Sequence, residues 1–447
     1  MAEPLLIELF DAAVSAARGE DLLIAQSEVA AGAWRYFGPA GSVAVPLPQF
    51  GEGKVFVTGA GKAAASLARG LEAVLGDRID SGAVLVKHGH GQPLQRIAVL
   101  EGGHPVPDAA GLAGTRHIMQ IVEAASENDT MFFVLTGGAS ALLVEPAPGL
   151  SFEDLQTANR LLVNGGAQID EINAVRKHLS AVTGGRLRQR ARCASFCTLA
   201  ISDVIGDAPA AIGSGPTVAD PSTFQDCVAI VECYGLRTAL PRAVIEHLER
   251  GVAGVVAETP KETSRIFRDS PYRIVASNRI SIDAAARVAR ERGCKVEILT
   301  TEMQGHTHDA AHRFAAELRQ VASARTDDAP VVLLAGGETT LPVQGNGRGG
   351  RNQEFALVAA LDLQGVDNVA LLSAGTDGTD GPTDAAGAFV DGSTVARARA
   401  RGLDASDFLR RQDSFTLLHA LGDLHRTGPT GTNVMDLVIG LCYQCRP

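Results

Sequence analysis

Five times along this chain a strand-like apolar run passes directly into a glycine-rich turn, and that repetition restricts the fold more than any other feature. The runs at 54–58, 131–136, 196–201, 331–335 and 369–373 lead into TGAGK, TGGAS, SDVIGD, AGGETT and SAGTDGTDG. Further strands are expected at 82–87, 272–276, 294–300 and near 436–442. Helical patterns fall at 61–75, 108–126, 151–164, 169–190, 280–292, 308–323 and 352–362, and the first fifty residues read as two helices. Continuous Val, Leu and Phe runs separated by helices are what a parallel sheet covered on both faces requires. The expected architecture is α/β in two lobes. A Rossmann-like, mostly parallel sheet occupies residues 1–250, and a second α/β lobe occupies 251–447.

Composition agrees with an enzyme of this class: 45% hydrophobic, 20% charged, 4% aromatic, with 49 glycines. A formal charge of −11 repels a phosphate backbone, so nucleic acid is not an expected partner. No stretch approaches the ~18 apolar residues of a membrane span. The segment MAEPLLIELFDAAVSAARGEDLL reads as an amphipathic helix rather than a signal peptide. Seven cysteines without an export signal point to reduced thiols in the cytoplasm.

Ligands of open parallel sheets bind beyond the carboxyl ends of strands, so those loops hold the candidates. After the first strand, Gly59 and Gly61 let backbone approach an anion, and Lys62 adds a full charge beside a helix start. Phe56 and Ala63 break a Walker A pattern, whereas Gly59, Gly61 and Ala64 match G-x-G-x-x-A. Gly137 and Gly138 open a second turn, with Ser140 a ligand hydroxyl rather than a nucleophile, because the second glycine of a G-x-S-x-G elbow is missing. Asp203 and Asp207 follow the next strand, Glu338 the fourth, and Asp377, Asp380 and Asp384 the fifth. Singly, each Asp suits a turn former. Together the loops supply hydrogen-bond donors for phosphate oxygens, cations and hard carboxylates, the three requirements of phosphoryl transfer. Arg348 and Arg351 stand ahead of a helix in GRGGRNQE, where a guanidinium suits a bidentate grip on carboxylate or phosphate.

GAGKA, GGHPVPD, LTGGASALL, INAVRKHLS with GGRL, SDVIGD with GSGPT, GGETT, GRGGRNQE and GTDGTDGPTDAAG occur in that order. Their succession, from about residue 5 to residue 445, resembles the MOFRL-type glycerate 2-kinases, many of which are labelled hydroxypyruvate reductases. The resemblance implies ATP-dependent phosphorylation of the 2-hydroxyl of D-glycerate with Mg²⁺ or another divalent cation, in a cleft between two lobes. It carries the catalytic pair over to Lys62 and Arg351. It makes Asp203 and Asp207 metal candidates, and Glu338, Asp377 and Asn278 (in VASNRIS) substrate or nucleotide candidates. In EMQGHTHDAA, His306 replaces an expected acidic residue. Glycerate and ATP are the expected partners, and the oligomeric state, a homodimer included, is left open.

Two other classes compete. An NAD(P)H-dependent hydroxypyruvate reductase would use the turn at 59–64 and set Lys87 against a 2′-phosphate, leaving the loop 375–387 unexplained. A nucleotide sensor would bind ATP without turnover. His306, His308 and His312 allow a zinc site, as do Cys193, Cys197, Cys442 and Cys445, but a solvated helix start and buried thiols are the commoner arrangements. His104 and the run Arg176-Lys177-His178 fit either an anion site or a covered helix face.

Overall fold

The structure, a computed structural model, describes residues 2–39, 41–324 and 329–444. The chain divides into two compact units, one formed by 19–275 and the other by 1–18 with 276–447. This differs from a division near 250. The opening helix, Ala2–Ala17, joins the C-terminal unit because its stripe of Leu6, Leu9, Phe10, Ala13 and Val14 is buried against Ile282, Ala285, Ala286 and Ala289 of the helix Asn278–Glu291. The i, i+3, i+4 spacing puts all five on one face. Burying Phe10 alone contributes roughly 1.5–3 kcal/mol.

In the unit 19–275, the helix Gly19–Gln26 leads into an antiparallel sheet of β1 (Ser27–Ala30), β2 (Ala33–Gly38) and β3 (Gly41–Pro46). A second helix followed by loop was expected over this stretch. The reversal lies at Ala31 and Gly32, both at positive φ (51° and 72°), the conformation of a two-residue hairpin turn. Strand β2 alternates, and its inward Trp34 is fully buried edge-on against Phe132, with ring centroids 5.2 Å apart.

The main sheet of this unit has the order β6-β5-β4-β7-β8-β9: β4 (Val55–Ala60), β5 (Ser81–Lys87), β6 (Ile97–Gly102), β7 (Thr130–Leu135), β8 (Ser195–Ile201) and β9 (Tyr272–Ala276). The ladders from β6 through β8 are all parallel. Every residue of β4 and β7 is buried, as central strands covered on both faces must be. The chain runs from β4 outward to β5 and β6, then crosses back to β7 and β8. The order therefore reverses between β4 and β7, and a crevice at their carboxyl ends is the usual ligand site of such a sheet. The expected helix 169–190 is two helices, Ile169–Leu179 and Arg186–Arg190, broken by left-handed glycines 184 and 185.

The other unit contains β10 (Lys295–Met303), β11 (Val331–Gly337), β12 (Val369–Gly375), β13 (Gly387–Asp391), β14 (Leu424–His425) and β15 (Asp436–Cys442), in the order β10-β11-β15-β12-β13-β14. Among the described residues of this sheet only β10 and β11 pair in parallel. The fully buried last strand, β15, runs antiparallel between β11 and β12. Among the described residues no helix is long and apolar enough to cross a membrane.

Candidate active site

The ends of β4 and β7 are level, since Gly59 pairs with Val134 and Ala60 with Leu135. A Cβ on Gly59 would overlap the Val134 carbonyl. Gly61 has φ 130°, and a Cβ there would overlap Thr136. The Gly61 amide donates to Leu85 O at 3.0 Å, Lys62 to Gly137 O at 2.8 Å, and Ala63 to Thr136 Oγ1 at 3.0 Å. These amides are thus engaged within the protein, and Lys62 brings a full charge to this strand end.

Gly138, at φ 86°, leaves room for two neighbours: a Cβ built on it would lie 3.1 Å from the His104 ring and 3.2 Å from Lys62 Cγ. Burial, then the positive charges of Lys62, Lys87 and His90, push the His104 pKa down to about 4. The imidazole is neutral at physiological pH, and three basic side chains surround it. This is the local basic patch that a net-acidic protein needs to attract an anion.

The Asp203 carboxylate lies where a Cβ on Gly137 would be, so that turn and that acid can coexist only with glycine. Asp207 sits in the following turn at φ 54°. Among the described residues no group of three or more His, Cys, Asp or Glu side chains is placed to hold a metal ion by itself. Ser140 accepts from Ser214 Oγ at 2.9 Å.

In the unit containing 276–447, Arg351 opens the helix Arg351–Asp362. Its Nε and Nη2 donate to the two oxygens of Asp436, at 2.5 and 2.9 Å, and its Nη1 lies 2.6 Å from Glu338. Burial works to lower its pKa, but Asp436 first and Glu338 next outweigh burial, and the net shift is upward. Asn352 Nδ2 also donates to Asp436 Oδ1, at 2.9 Å. The Asn278 amide faces inward, donating to Val434 O at 2.9 Å and Asp436 O at 3.0 Å, so it fastens the start of β15. Asp380 caps the Arg351 helix, accepting from the amides of Asn352 (3.0 Å) and Gln353 (2.9 Å). Burial raises the Asp380 pKa to about 6, with those hydrogen bonds acting against it.

The sequence candidates therefore fall into two groups. Gly59, Gly61, Lys62, Gly137, Gly138, Ser140 and Asp203 gather at the ends of β4 and β7. Arg351, Glu338 and Asn278 gather around Asp436. Asp377 Oδ1 accepts from the Thr379 amide and hydroxyl, both at 3.0 Å, as a turn former does, and a Cβ on Gly375 would meet it at 3.5 Å and Asp436 Oδ1 at 3.6 Å, so the two carboxylates flank the same glycine. Asp384 pairs with Arg426 at 3.0 Å. Asp436 was not foreseen. Its only signal is a carboxylate heading an otherwise apolar strand, DLVIGLC. The three histidines serve separate partners: His308 Nε2 lies 3.1 Å from Glu354, His312 Nδ1 lies 2.6 Å from Asp362, and His306 Nδ1 accepts the His308 amide. Cys193, Cys197 and Cys442 are free thiols, and Cys445 lies outside the described residues.

Comparison with known proteins finds two domain families along the chain. Residues 5–249 match a domain of unknown function (DUF4147), and residues 331–436 match the MOFRL family. A glycerate 2-kinase of Pyrococcus horikoshii is 43% identical over 88% of this chain and 89% of its own. A D-glycerate 2-kinase of Thermotoga maritima is 42% identical, over 90% and 94% respectively. The crystal structure of a Thermotoga maritima glycerate kinase superposes with a TM-score of 0.84 at 38% identity, covering 98% of this chain and 99% of that one. With both domain families present in this order and such likeness over nearly the whole length, the chain belongs to the MOFRL-type glycerate kinase family.

Proposed function

We propose that this chain transfers the γ-phosphoryl group of ATP to the 2-hydroxyl of D-glycerate, giving 2-phosphoglycerate and ADP. The observation that carries the reading is Lys62 set against Gly138 and the neutral His104 at the point where the sheet order reverses. Phosphoryl transfer asks little covalent chemistry of a protein. It asks for alignment and for cations where charge spreads over the transferring oxygens.

Lys62 supplies such a cation from a backbone anchored at 2.8 Å to Gly137. Arg351 supplies another, aimed by Asp436. Three of its five N–H groups are engaged by Asp436 and Glu338, and two remain for phosphoryl oxygens. The neutral His104 adds no competing charge to Lys62. Mg²⁺ takes one or two protein carboxylates and completes its shell with phosphate oxygens and water. Asp203, packed on the Gly137 turn, and Asp207 fit that mode for a cation arriving with the nucleotide, which neutralises phosphate charge when bound. Among the described residues the six cysteines are thiols without a disulfide, which suits a reducing cytoplasm.

The test is ADP release from purified protein given ATP, Mg²⁺ and D-glycerate, with the phosphate position assigned by NMR. A parallel assay follows NAD(P)H oxidation with hydroxypyruvate. ADP with 2-phosphoglycerate is expected. NAD(P)H oxidation without ADP would replace the kinase with a reductase using the turn at 59–64.

A further inference from the structure

The basic run Arg176-Lys177-His178 separates on folding into two buried structural residues and one unmatched cation. Lys177 donates to Asp220 at 3.3 Å, and His178 lies 2.7 Å from Glu258 and 2.8 Å from Ala174 O. Arg176 instead donates through Nε to the neutral Asn159 Oδ1, and among the described residues it forms no ion pair. Burial pushes its pKa down with no carboxylate acting against it. Arg176 is half-buried, and a guanidinium partly withdrawn from water without a counter-charge favours an anion that completes it.

Arg176 lines a cavity of about 40 Å³ together with Ser140, Asn159, Ser180, Thr183 and Ser214. Thr183 is 3% exposed, and its hydroxyl finds no hydrogen-bond partner. The cavity thus presents an unmatched cation and an unmatched hydroxyl. Its room exceeds the roughly 10–15 Å³ that one water needs, so it admits a small polar group such as a carboxylate and is far below that of a nucleotide. A planar guanidinium fork matches a carboxylate's two oxygens. The cavity also adjoins the Lys62 turn: Ser140 is two residues from Gly138, at most about 7 Å of chain.

Resting on the kinase reading, we propose that Arg176, with Thr183 beside it, binds the carboxylate of the hydroxy-acid acceptor and selects acids over neutral polyols. Arg176→Ala should raise KM for D-glycerate by about 10- to 100-fold, the loss expected for hydrogen bonds to a charged group, while KM for ATP changes less than twofold. Arg176→Lys should recover part of the loss. Wild-type protein should discriminate strongly against glycerol, and Arg176→Ala should lose most of that discrimination. Thr183→Val, nearly isosteric, should raise KM for glycerate several-fold with an unchanged melting temperature, and it serves if the Arg176 variants fold poorly. Calorimetric titration of D-glycerate into wild-type and variant protein needs no turnover. Weaker binding in the variants with no ADP in any assay would remove the kinase reading and keep the carboxylate site. Normal turnover in folded variants with unchanged glycerate KM, or a rise in ATP KM instead, would overturn the inference and leave the kinase standing.

Discussion

Asp436 holds the Arg351 guanidinium with both carboxylate oxygens, one on Nε at 2.5 Å and the other on Nη2 at 2.9 Å. The two residues are 85 positions apart, and the pair exists because β15 runs between β11 and β12 with Asp436 at its start. Asp436 is 2% exposed and also accepts from Asn352, so its own orientation is fixed. The Arg351 side chain is 34% exposed and keeps one edge toward solvent. A long, flexible cation is thereby fixed at one end and presented at the other.

Asp436→Asn keeps the shape and removes the charge that aims Arg351. We expect kcat to fall by about 10- to 100-fold, because preorganised charge is the main contribution to this chemistry. Breaking a fully buried pair costs about 3–5 kcal/mol. With one partner a third exposed, about 2 kcal/mol and a melting temperature lower by several degrees are expected. Steady-state kinetics with calorimetric melting checks both, and unchanged kcat would remove Asp436 as a positioning residue.

Lys62→Ala should lower kcat by on the order of 10²-fold or more. The backbone bond from residue 62 to Gly137 survives the substitution, so the circular dichroism of the fold should be retained. ATP binding kept with turnover lost identifies Lys62 with the chemical step. A wild-type protein that binds ATP and never turns over would restore the sensor reading.

The legible parts of this molecule were those where a local rule and the tertiary demand coincide. The strands β4, β7, β8, β11 and β12 are buried on both faces, so apolar runs declare them, and their glycines stand where a Cβ would strike the neighbouring strand or turn. The hairpin β1–β2 was missed because its turn is Ala31-Gly32 rather than the usual Asn-Gly, and because SEVA carries little apolar pattern. Asp436 was missed for a different reason. Its partner is set by strand order, which no local pattern encodes. Asp377 combines both levels: its carboxylate makes the local turn contacts its residue type favours, and the fold sets it beside Gly375, which Asp436 also flanks. Lys177 and His178 share a run with Arg176, yet only the folded helix separates the two that find acidic partners from the one that does not.

Gly61→Ala tests the backbone of the Lys62 turn. At φ 130° an L side chain is strained, and the added methyl would meet Thr136, whose hydroxyl receives the Ala63 amide. Strain of this kind costs about 1–3 kcal/mol. The Lys62 anchor would also shift, so we expect a lower melting temperature together with at least a tenfold loss in kcat. A variant as stable and active as wild type would show that the turn tolerates displacement.

Glu354, in the same helix as Arg351, is 1% exposed, and burial pushes its pKa up to about 7 from an ordinary 4.5. It faces His308 Nε2 at 3.1 Å, with His306 nearby, and burial followed by His312 holds the His308 pKa below its ordinary value. Below about pH 7 the neutral pair, a carboxyl O–H donating to an imidazole nitrogen, is therefore the favoured form. The unfolded chain releases this proton near pH 4.5 and the folded chain only near 7. Stability from this group is consequently full below about 4.5, falls as pH rises to about 7, and stays low above it, a loss of at most about 3 kcal/mol. Glu354→Gln keeps an N–H donor for His308 and cannot ionise. Its melting temperature should match wild type near pH 5 and exceed it near pH 8, the gap opening across that window. A gap of the opposite sign, with the variant weaker at pH 8, would show that the ionised carboxylate is the form the folded protein stabilises.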